Sequence, residues 1–288
     1  MGHSLLNMAS TEMVQGETRK TFEREVERGQ RFEFGKNWKA FLSTLDDERI
    51  RVAEESLKTM LGVSDLHGKT FLDAGSGSGL FSLAARRLGA RVHSFDFDTS
   101  SVACTRELRN RFFADDPAWK VEQGSVLDQD FLRGLGEFDV VYSWGVLHHT
   151  GQMWKALENV GGLVRSGGTL FISIYNDEGP KSTLWWKVKR LYNRSEIGKA
   201  LVCGSLIPYF FLRVSLSCIM HRENLFATYK KNRGMSITHD WYDWLGGFPF
   251  EVAKVEELFR FYTDKGFTLR NLVSTNGLAT NQLVFRKD

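Results

Sequence analysis

The chain of 288 residues is 42% hydrophobic and 25% charged, which supplies a large core and excludes a wholly disordered protein. Its 27 glycines follow no fixed period, so fibrous and repeat architectures are excluded as well. The net charge of +3 is unevenly distributed, because residues 181–233 carry +9 and the remainder carries −6. Three scattered cysteines, Cys104, Cys203 and Cys218, predict free thiols in a reducing compartment.

The first 62 residues predict a helical cap. Residues 1–35 are polar and mixed in charge, which is compatible with disorder over about the first 20. They show no signal-peptide pattern, so we expect a cytoplasmic protein. A Ser or Thr cap in Ser43–Thr44 and an apolar period of three and four residues predict a helix that ends at Gly62. We expect residues 1–62 to cap a second unit, residues 63–288.

From Lys69 onward, short apolar runs alternate with helical patterns, which predicts an α/β fold with a doubly wound, mostly parallel, Rossmann-like sheet. The C-terminal end instead predicts a helix closed by Gly266 and an antiparallel hairpin that turns at Asn276–Gly277. Residues 179–235 interrupt the pattern and are interpreted as a helical lid insertion. The seven predicted strands are Thr70–Asp73, Arg91–Phe95, Trp119–Gln123, Phe138–Ser143, Thr169–Tyr175, Thr268–Ser274 and Gln282–Arg286, and the helices between them are Leu80–Leu88, Ser100–Phe113 and Met153–Val164.

A glycine-rich turn follows the first predicted strand. The strand ends at Asp73, and Gly75, Gly77 and Gly79 precede a helix whose N-terminus adds a positive dipole. Asp96 closes the next strand, where a carboxylate can accept both hydroxyls of a ribose. A nicotinamide-dinucleotide site is disfavoured, because a carboxylate two residues before the first glycine would repel a pyrophosphate and attract an ammonium group.

In this order, the motifs resemble those of the class I S-adenosylmethionine-dependent methyltransferases, most of all the small-molecule O-methyltransferases of the ubiquinone-biosynthesis type. The resemblance rests on the glycine turn, residues 94–98, 124–128, 138–150 and 164–173. It implies S-adenosyl-L-methionine as cofactor and S-adenosyl-L-homocysteine as product. The residues expected to bind the cofactor are Asp73, Gly75, Ser76, Gly77, Gly79, Asp96, Phe97, Ser125, Val126, Trp144 and Gly145.

Two places offer a base for a hydroxyl acceptor, because imidazole titrates in the useful range. His148 and His149 follow the fourth strand, and by the resemblance His149 has the usual position of the histidine in this loop. The second place is residues 236–251, an irregular, Trp-rich segment. Without an HxxH motif, paired cysteines or a suitable acidic cluster, we expect metal-free catalysis. The predicted catalytic residues are His149, His239 and His148, and the predicted acceptor-pocket residues are Trp38, Asp240, Trp241, Tyr242 and Trp244.

The insertion is basic and apolar at once. Ala200–Met220 has a single charge, Arg213, and is long enough for a membrane span, but one crossing would separate the last strands from their sheet. It can be a lid over a phosphate- or carboxylate-bearing acceptor, or an interfacial element in which Trp185 and Trp186 contact anionic lipid at the inner face of a membrane. A nucleic-acid surface and a solvated helical face without a ligand are the other interpretations.

The function predicted from these features is methyl transfer to a hydroxyl of a small, anionic or amphipathic metabolite. The alternatives are an RNA or protein methyltransferase that docks through the basic insertion, and a donor-binding module without catalysis. The sequence leaves the acceptor's identity, C- or N-methylation and the oligomeric state open.

Overall fold

A seven-stranded sheet with the order β3-β2-β1-β4-β5-β7-β6 organises the computed structural model, which describes residues 16–221 and 237–288. Strands β1 to β5 pair in parallel, and β7 is antiparallel to both β5 and β6. The predicted sheet and its C-terminal hairpin are confirmed. The strands are β1 Thr70–Ala74, β2 Arg91–Asp96, β3 Trp119–Gln123, β4 Phe138–Trp144, β5 Val164–Tyr175, β6 Phe267–Val273 and β7 Thr280–Lys287.

Helices cover both faces of the sheet because consecutive strand residues face opposite sides. Phe71 belongs to an apolar cluster with the cap helices, whereas Leu72 belongs to the cluster on the other face. The helices are α1 residues 16–27, α2 Gly35–Leu42, α3 Asp47–Leu61, α4 Leu80–Arg87, α5 Thr99–Phe112, α6 Gln129–Leu135, α7 Met153–Gly162, α8 Pro180–Arg194, α9 Glu196–His221, α10 Ile237–Gly246 and α11 Val255–Thr263.

Several local predictions need correction. The side chain of Asp46, not Ser43 or Thr44, caps α3 by accepting the N–H of Arg49 at 2.9 Å. The short helix α6 was not predicted, because its seven residues show too little apolar period. The predicted disorder falls mostly on residues 1–15, outside the described residues, whereas residues 16–20 are helical.

The insertion forms a helical hairpin from α8 and α9, as predicted in outline, and residues 222–236 lie outside the described residues. The segment interpreted as an irregular loop instead contains the helix α10, because Trp241, Trp244 and Leu245 recur at helical spacing on one face. Leu245 is buried in a third apolar cluster together with residues of α8 and α9. The hairpin therefore packs on the domain through α10.

Candidate functional site

The glycine turn between β1 and α4 has left-handed backbone that suits only glycine. Gly75 and Gly77 have φ of 87° and 54°. A Cβ atom at Gly75 would lie 2.4 Å from a methyl carbon of Val146, and one at Gly77 would lie 3.2 Å from the indole nitrogen of Trp38. The turn thus lies between side chains of the β4 loop and of the cap helix α2, which form the walls of the predicted donor site.

Two acidic side chains lie at the same edge of the sheet, at the carboxyl ends of β1 and β2. Asp73 is 2% exposed, and its Oδ2 accepts the hydroxyl of Ser82 at 2.5 Å. Asp96 accepts the N–H of Gly77 on Oδ2 and the N–H of Asp98 on Oδ1, both at 2.9 Å. Within the described part of the chain, neither Asp73 nor Asp96 forms an ion pair with a cation.

Burial raises the pKa of Asp73 to about 7. Burial, and next the nearby charge of Asp98, raises the pKa of Asp96 to about 7 as well, with a smaller contribution from Asp73. At neutral pH each carboxyl is therefore about half ionised, and its negative charge has no compensating cation among the described residues. Asp73 lies beneath α4 and acts through its charge, whereas the partly exposed Asp96 has lone pairs left for a ligand.

This pair of acids fits the cofactor implied by the sequence. S-adenosylmethionine has a sulfonium and an ammonium group, and both would be attracted by the two carboxylates. Asp96 could take the ribose, and the backbone of the glycine turn could approach the amino-acid end of the ligand. The observation that supports the fit is the uncompensated negative charge at the turn.

Phe97, Ser125 and Val126 lie around the ends of β2 and β3, where the adenine is expected. The ring of Phe97 meets Phe22 of α1 edge-on at 5.4 Å, and the guanidinium of Arg31 lies 4.8 Å from its centroid. Ser125 Oγ accepts the N–H of Leu127, and Val126 is buried. The contact of the N-terminal segment with Phe97 could not be predicted, because its polar sequence shows no sustained apolar face.

His149 lies in a 3-10 turn, Leu147–His149, directly after β4. Its Nδ1 is 2.6 Å from the carbonyl oxygen of Pro249, so Nδ1 holds the proton and Nε2 keeps its lone pair. Burial lowers the pKa of His149 to about 3. Arg31 fixes the same turn by donating to the His149 carbonyl at 2.8 Å. His149 is therefore a neutral imidazole of one tautomer.

His148 is 1% exposed, and its ring nitrogens have no well-formed hydrogen bond within the described residues beyond an interaction with the backbone of Ser173. Burial holds its pKa well below the usual range. Its ring centroid lies 4.1 Å from that of Tyr175. The hydroxyl of Ser173 is likewise buried with no partner in this part of the chain. Polar atoms left unpaired in this way are typical of a site that a ligand or water completes.

Sequence reasoning missed Lys189, which is fully buried and whose positive charge acts on both histidines. Its Nζ donates to the carbonyl of Trp244 and lies 4.2 Å from the centroid of that ring and 4.9 Å from that of Phe250. The signal was present in the sequence, because Trp185, Lys189 and Tyr192 recur at helical spacing and share the inner face of α8.

The predicted acceptor-pocket residues are dispersed. Trp38 lies at the glycine turn, Trp244 contacts Tyr175 with ring centroids 5.5 Å apart, and Trp241 packs on Phe210 at 5.7 Å. Tyr242 is 42% exposed. The side chains of His239 and Asp240 lie outside the described residues, so their roles stay predictions. Trp144 is 40% exposed at the end of β4, next to Gly145. The described residues include no group of three or more His, Cys, Asp or Glu side chains that could hold a metal ion.

Comparisons with known proteins agree with this architecture. A family described as "Methyltransferase domain" matches residues 44–224. The chain is 33% identical over 118 residues to a tRNA U34 carboxymethyltransferase of Methylococcus capsulatus. The aligned region covers 41% of this chain and 35% of that protein. It is 30% identical over 118 residues to a ubiquinone biosynthesis O-methyltransferase of Paraburkholderia xenovorans, covering 38% and 46% of the two chains. The chain thus spans less than half the length of these curated relatives.

Solved structures show the same fold. Magnesium protoporphyrin IX methyltransferase from Synechocystis, crystallised with bound SAH, superposes with a TM-score of 0.50 at 15% identity and covers 96% of this chain and 99% of that one. An O-methyltransferase family protein from Burkholderia thailandensis gives a TM-score of 0.52 at 12% identity, covering 96% and 70%. At such identities the likeness concerns the arrangement of strands and helices.

Proposed function

The chain belongs to the S-adenosylmethionine-dependent methyltransferase family, and on this premise we propose that it methylates a hydroxyl group of a small, anionic or amphipathic molecule. The observation that supports this proposal most is His149. A neutral imidazole with its proton fixed on Nδ1 offers the lone pair of Nε2 to a hydrogen bond from the acceptor hydroxyl at the carboxyl edge of the sheet, and its low pKa keeps it unprotonated at physiological pH.

The donor site supplies electrostatics and position. S-adenosylmethionine, when bound, supplies a methyl group on a positively charged sulfur. Asp73 and Asp96 stabilise that positive charge, and the walls formed by Trp38 and Val146 exclude water from the glycine turn. In-line displacement needs the acceptor oxygen to be held on the far side of the methyl group, so positioning is the main task of the protein.

The acceptor site is proposed on the other side of the β4 end, among His148, His149, Ser173 and Tyr175. An acceptor hydroxyl develops negative charge as it loses its proton. The ammonium of Lys189 is buried near the two histidines and contributes to lowering the pKa of each. The same positive charge would stabilise a developing oxyanion or an anionic group of the acceptor.

The experiment begins with the acceptor. Purified protein is incubated with methyl-tritiated S-adenosylmethionine and a cell extract, and label is measured in the small-molecule, RNA and protein fractions. Label in small molecules, identified as a methyl ether by mass spectrometry, is the expected result. Label in RNA would instead favour the activity class of the tRNA-modifying relatives, and label in protein or on nitrogen would equally contradict the proposal.

The variant His149→Asn tests the base. An asparagine amide can keep the donation to Pro249 but has no nitrogen lone pair in the place of Nε2. We expect label transfer to fall by about 10²-fold or more, while affinity for S-adenosylhomocysteine changes less than about twofold. His67→Asn is the matched control, because His67 is exposed and, among the described residues, its ring bonds only to Asp65 of its own loop. Equal activity of the two variants would remove His149 from the mechanism.

A further inference from the structure

The outer face of the α8–α9 hairpin is apolar, and no other described part of the chain covers it. Helix α9 has 26 residues, and within the described residues it alone is long and apolar enough to cross a membrane, by length and composition. Only 6% of its most apolar 18-residue window is buried. The exposed apolar side chains of the hairpin, called the outer stripe below, are Leu184, Trp186, Leu191, Ile197, Leu201, Tyr209, Phe211, Leu212, Leu216, Ile219 and Met220.

Apart from Glu196, Lys199 and Arg213, helix α9 is apolar on its outer face as well as its inner face, unlike the surface helices of soluble domains. Its inner face, which includes Val202, packs on α8 and α10. Its opposite face presents Leu201, Leu212 and Ile219, which are 62%, 58% and 74% exposed. A contiguous apolar stripe of this kind marks a surface that a membrane or another molecule covers.

The charges beside the stripe indicate what covers it. Residues 179–221 contain seven Lys or Arg and a single acid, Glu196. Lys187, Arg190 and Arg194 are exposed and form no ion pair among the described residues. The guanidinium of Arg190 lies 5.1 Å from the ring centroid of Trp186. Leucine and isoleucine flanked by tryptophan and unpaired cations are typical of helices that lie in the headgroup region of anionic membranes.

Topology decides between lying on a membrane and crossing it. The chain enters the hairpin from β5 and returns through α10 to β6 and β7, and β7 pairs with β5 along Thr169–Tyr175. A single passage of α9 through a bilayer would put β5 and β7 on opposite sides of it. An orientation parallel to the surface, with the outer stripe immersed, is compatible with the closed sheet.

We propose that the outer stripe of the α8–α9 hairpin docks the protein on the surface of a membrane containing anionic lipid. The inner face of the same hairpin contributes Lys189 to the candidate acceptor site, so docking would place that site next to the lipid headgroups. The docking itself does not depend on methyl transfer, and its test needs neither donor nor acceptor.

The test is flotation of the full chain with vesicles of neutral phosphatidylcholine, alone or with about one third phosphatidylglycerol. Binding to the anionic vesicles should be at least about tenfold stronger than to neutral ones, and raising the salt from about 0.1 M to about 0.5 M should weaken it. Absence of binding to anionic vesicles, or equal binding to both kinds, would overturn the proposal.

Variants identify the surface. Leu201→Glu combined with Leu212→Glu should weaken binding by about 100-fold, because two apolar contacts with the lipid are replaced by negative charges. Val52→Glu is the matched control, since Val52 is a comparably exposed apolar residue of α3, at 58%, and should bind as the wild type does. Affinity for S-adenosylhomocysteine reports on correct folding of each variant.

Two other occupants give distinct results that would also overturn the proposal. A second copy of the chain would appear in sedimentation velocity as a dimer that Leu201→Glu and Leu212→Glu dissociate, without vesicle binding. Nucleic acid would appear as salt-sensitive retention on a polynucleotide that Lys187→Glu and Arg190→Glu abolish while the leucine variants keep it.

Discussion

Replacing Asp73 by asparagine should make the ligand-free protein more stable and the donor complex weaker. Asp73 is buried without a cation partner among the described residues, and burial raises its pKa from 3.8 to about 7. The folded protein therefore holds a proton that the unfolded chain releases between about pH 4 and pH 7, so its stability falls as pH rises through this window. The asparagine side chain would keep a hydrogen-bond acceptor for Ser82 and remove the charge.

The size of the effect follows from the pKa. A shift from 3.8 to about 7 corresponds to about 4 kcal/mol of unfolding free energy at pH 8. For a chain of 288 residues this equals about 7 °C in Tm. The neutral hydrogen bond from Ser82 is weaker than the charged one, so we expect an increase of about 3–7 °C. The difference between variant and wild type should shrink toward zero at about pH 4.

The assay is thermal unfolding of wild type and Asp73→Asn at several pH values, together with calorimetric titration of S-adenosylhomocysteine at pH 8. Loss of the charge should weaken binding of the ligand's ammonium by about tenfold. Asp139→Asn is the control of opposite sign. Burial tends to raise the pKa of Asp139, but hydrogen bonds from Thr70 and the charge of Arg165 hold it below its usual value. This variant should therefore lose stability at pH 8. An unchanged or lowered Tm of Asp73→Asn at pH 8 would refute the reasoning.

Three further predictions concern the candidate site. Asp96→Ala and Gly77→Arg should each weaken S-adenosylhomocysteine binding by about 100-fold in calorimetry. Asp96→Ala removes the carboxylate expected to accept the ribose hydroxyls, and Gly77→Arg fills the glycine turn. Undiminished binding by either variant would contradict the proposed donor site. Once the acceptor is identified, kcat/KM for the donor should rise with pH through about 7, because Asp96 ionises there. The pH profile of kcat should show no inflection near 6.5, because the pKa of His149 is about 3. An inflection of kcat near 6.5 would assign the base to another group. Lys189→Met should lower label transfer by about 10²-fold and leave donor affinity within about twofold; full activity would exclude an electrostatic role.

Much of the geometry of the proposed donor site could be predicted because it follows local rules. A strand, a glycine turn and a helix place Gly77 beside Asp96, since the carboxyl ends of adjacent parallel strands meet at one edge. The tertiary structure added contacts between distant segments, which no local sequence pattern predicts. Trp38 reaches the turn from α2, and Arg31 joins Phe97 to the turn that contains His149.

The candidate acceptor site was harder to predict, because it depends on where separate segments meet. Lys189 belongs to a basic stretch that sequence alone describes as a charged surface, yet packing of α8 on α10 encloses it beneath Trp244. His149 was predicted from its position after β4. Its tautomer was not, since that depends on a carbonyl 100 residues further along the chain.

The sequence by itself determined the alternation of strands and helices, the glycine turn and the placement of the two acids of the proposed donor site, because these depend on periodicity and on neighbours within a few residues. It also determined that the insertion is both apolar and basic. Only the tertiary structure decided which of its side chains are enclosed and which are exposed. Burial depends on the partners that a helix face meets, and those partners come from distant parts of the chain.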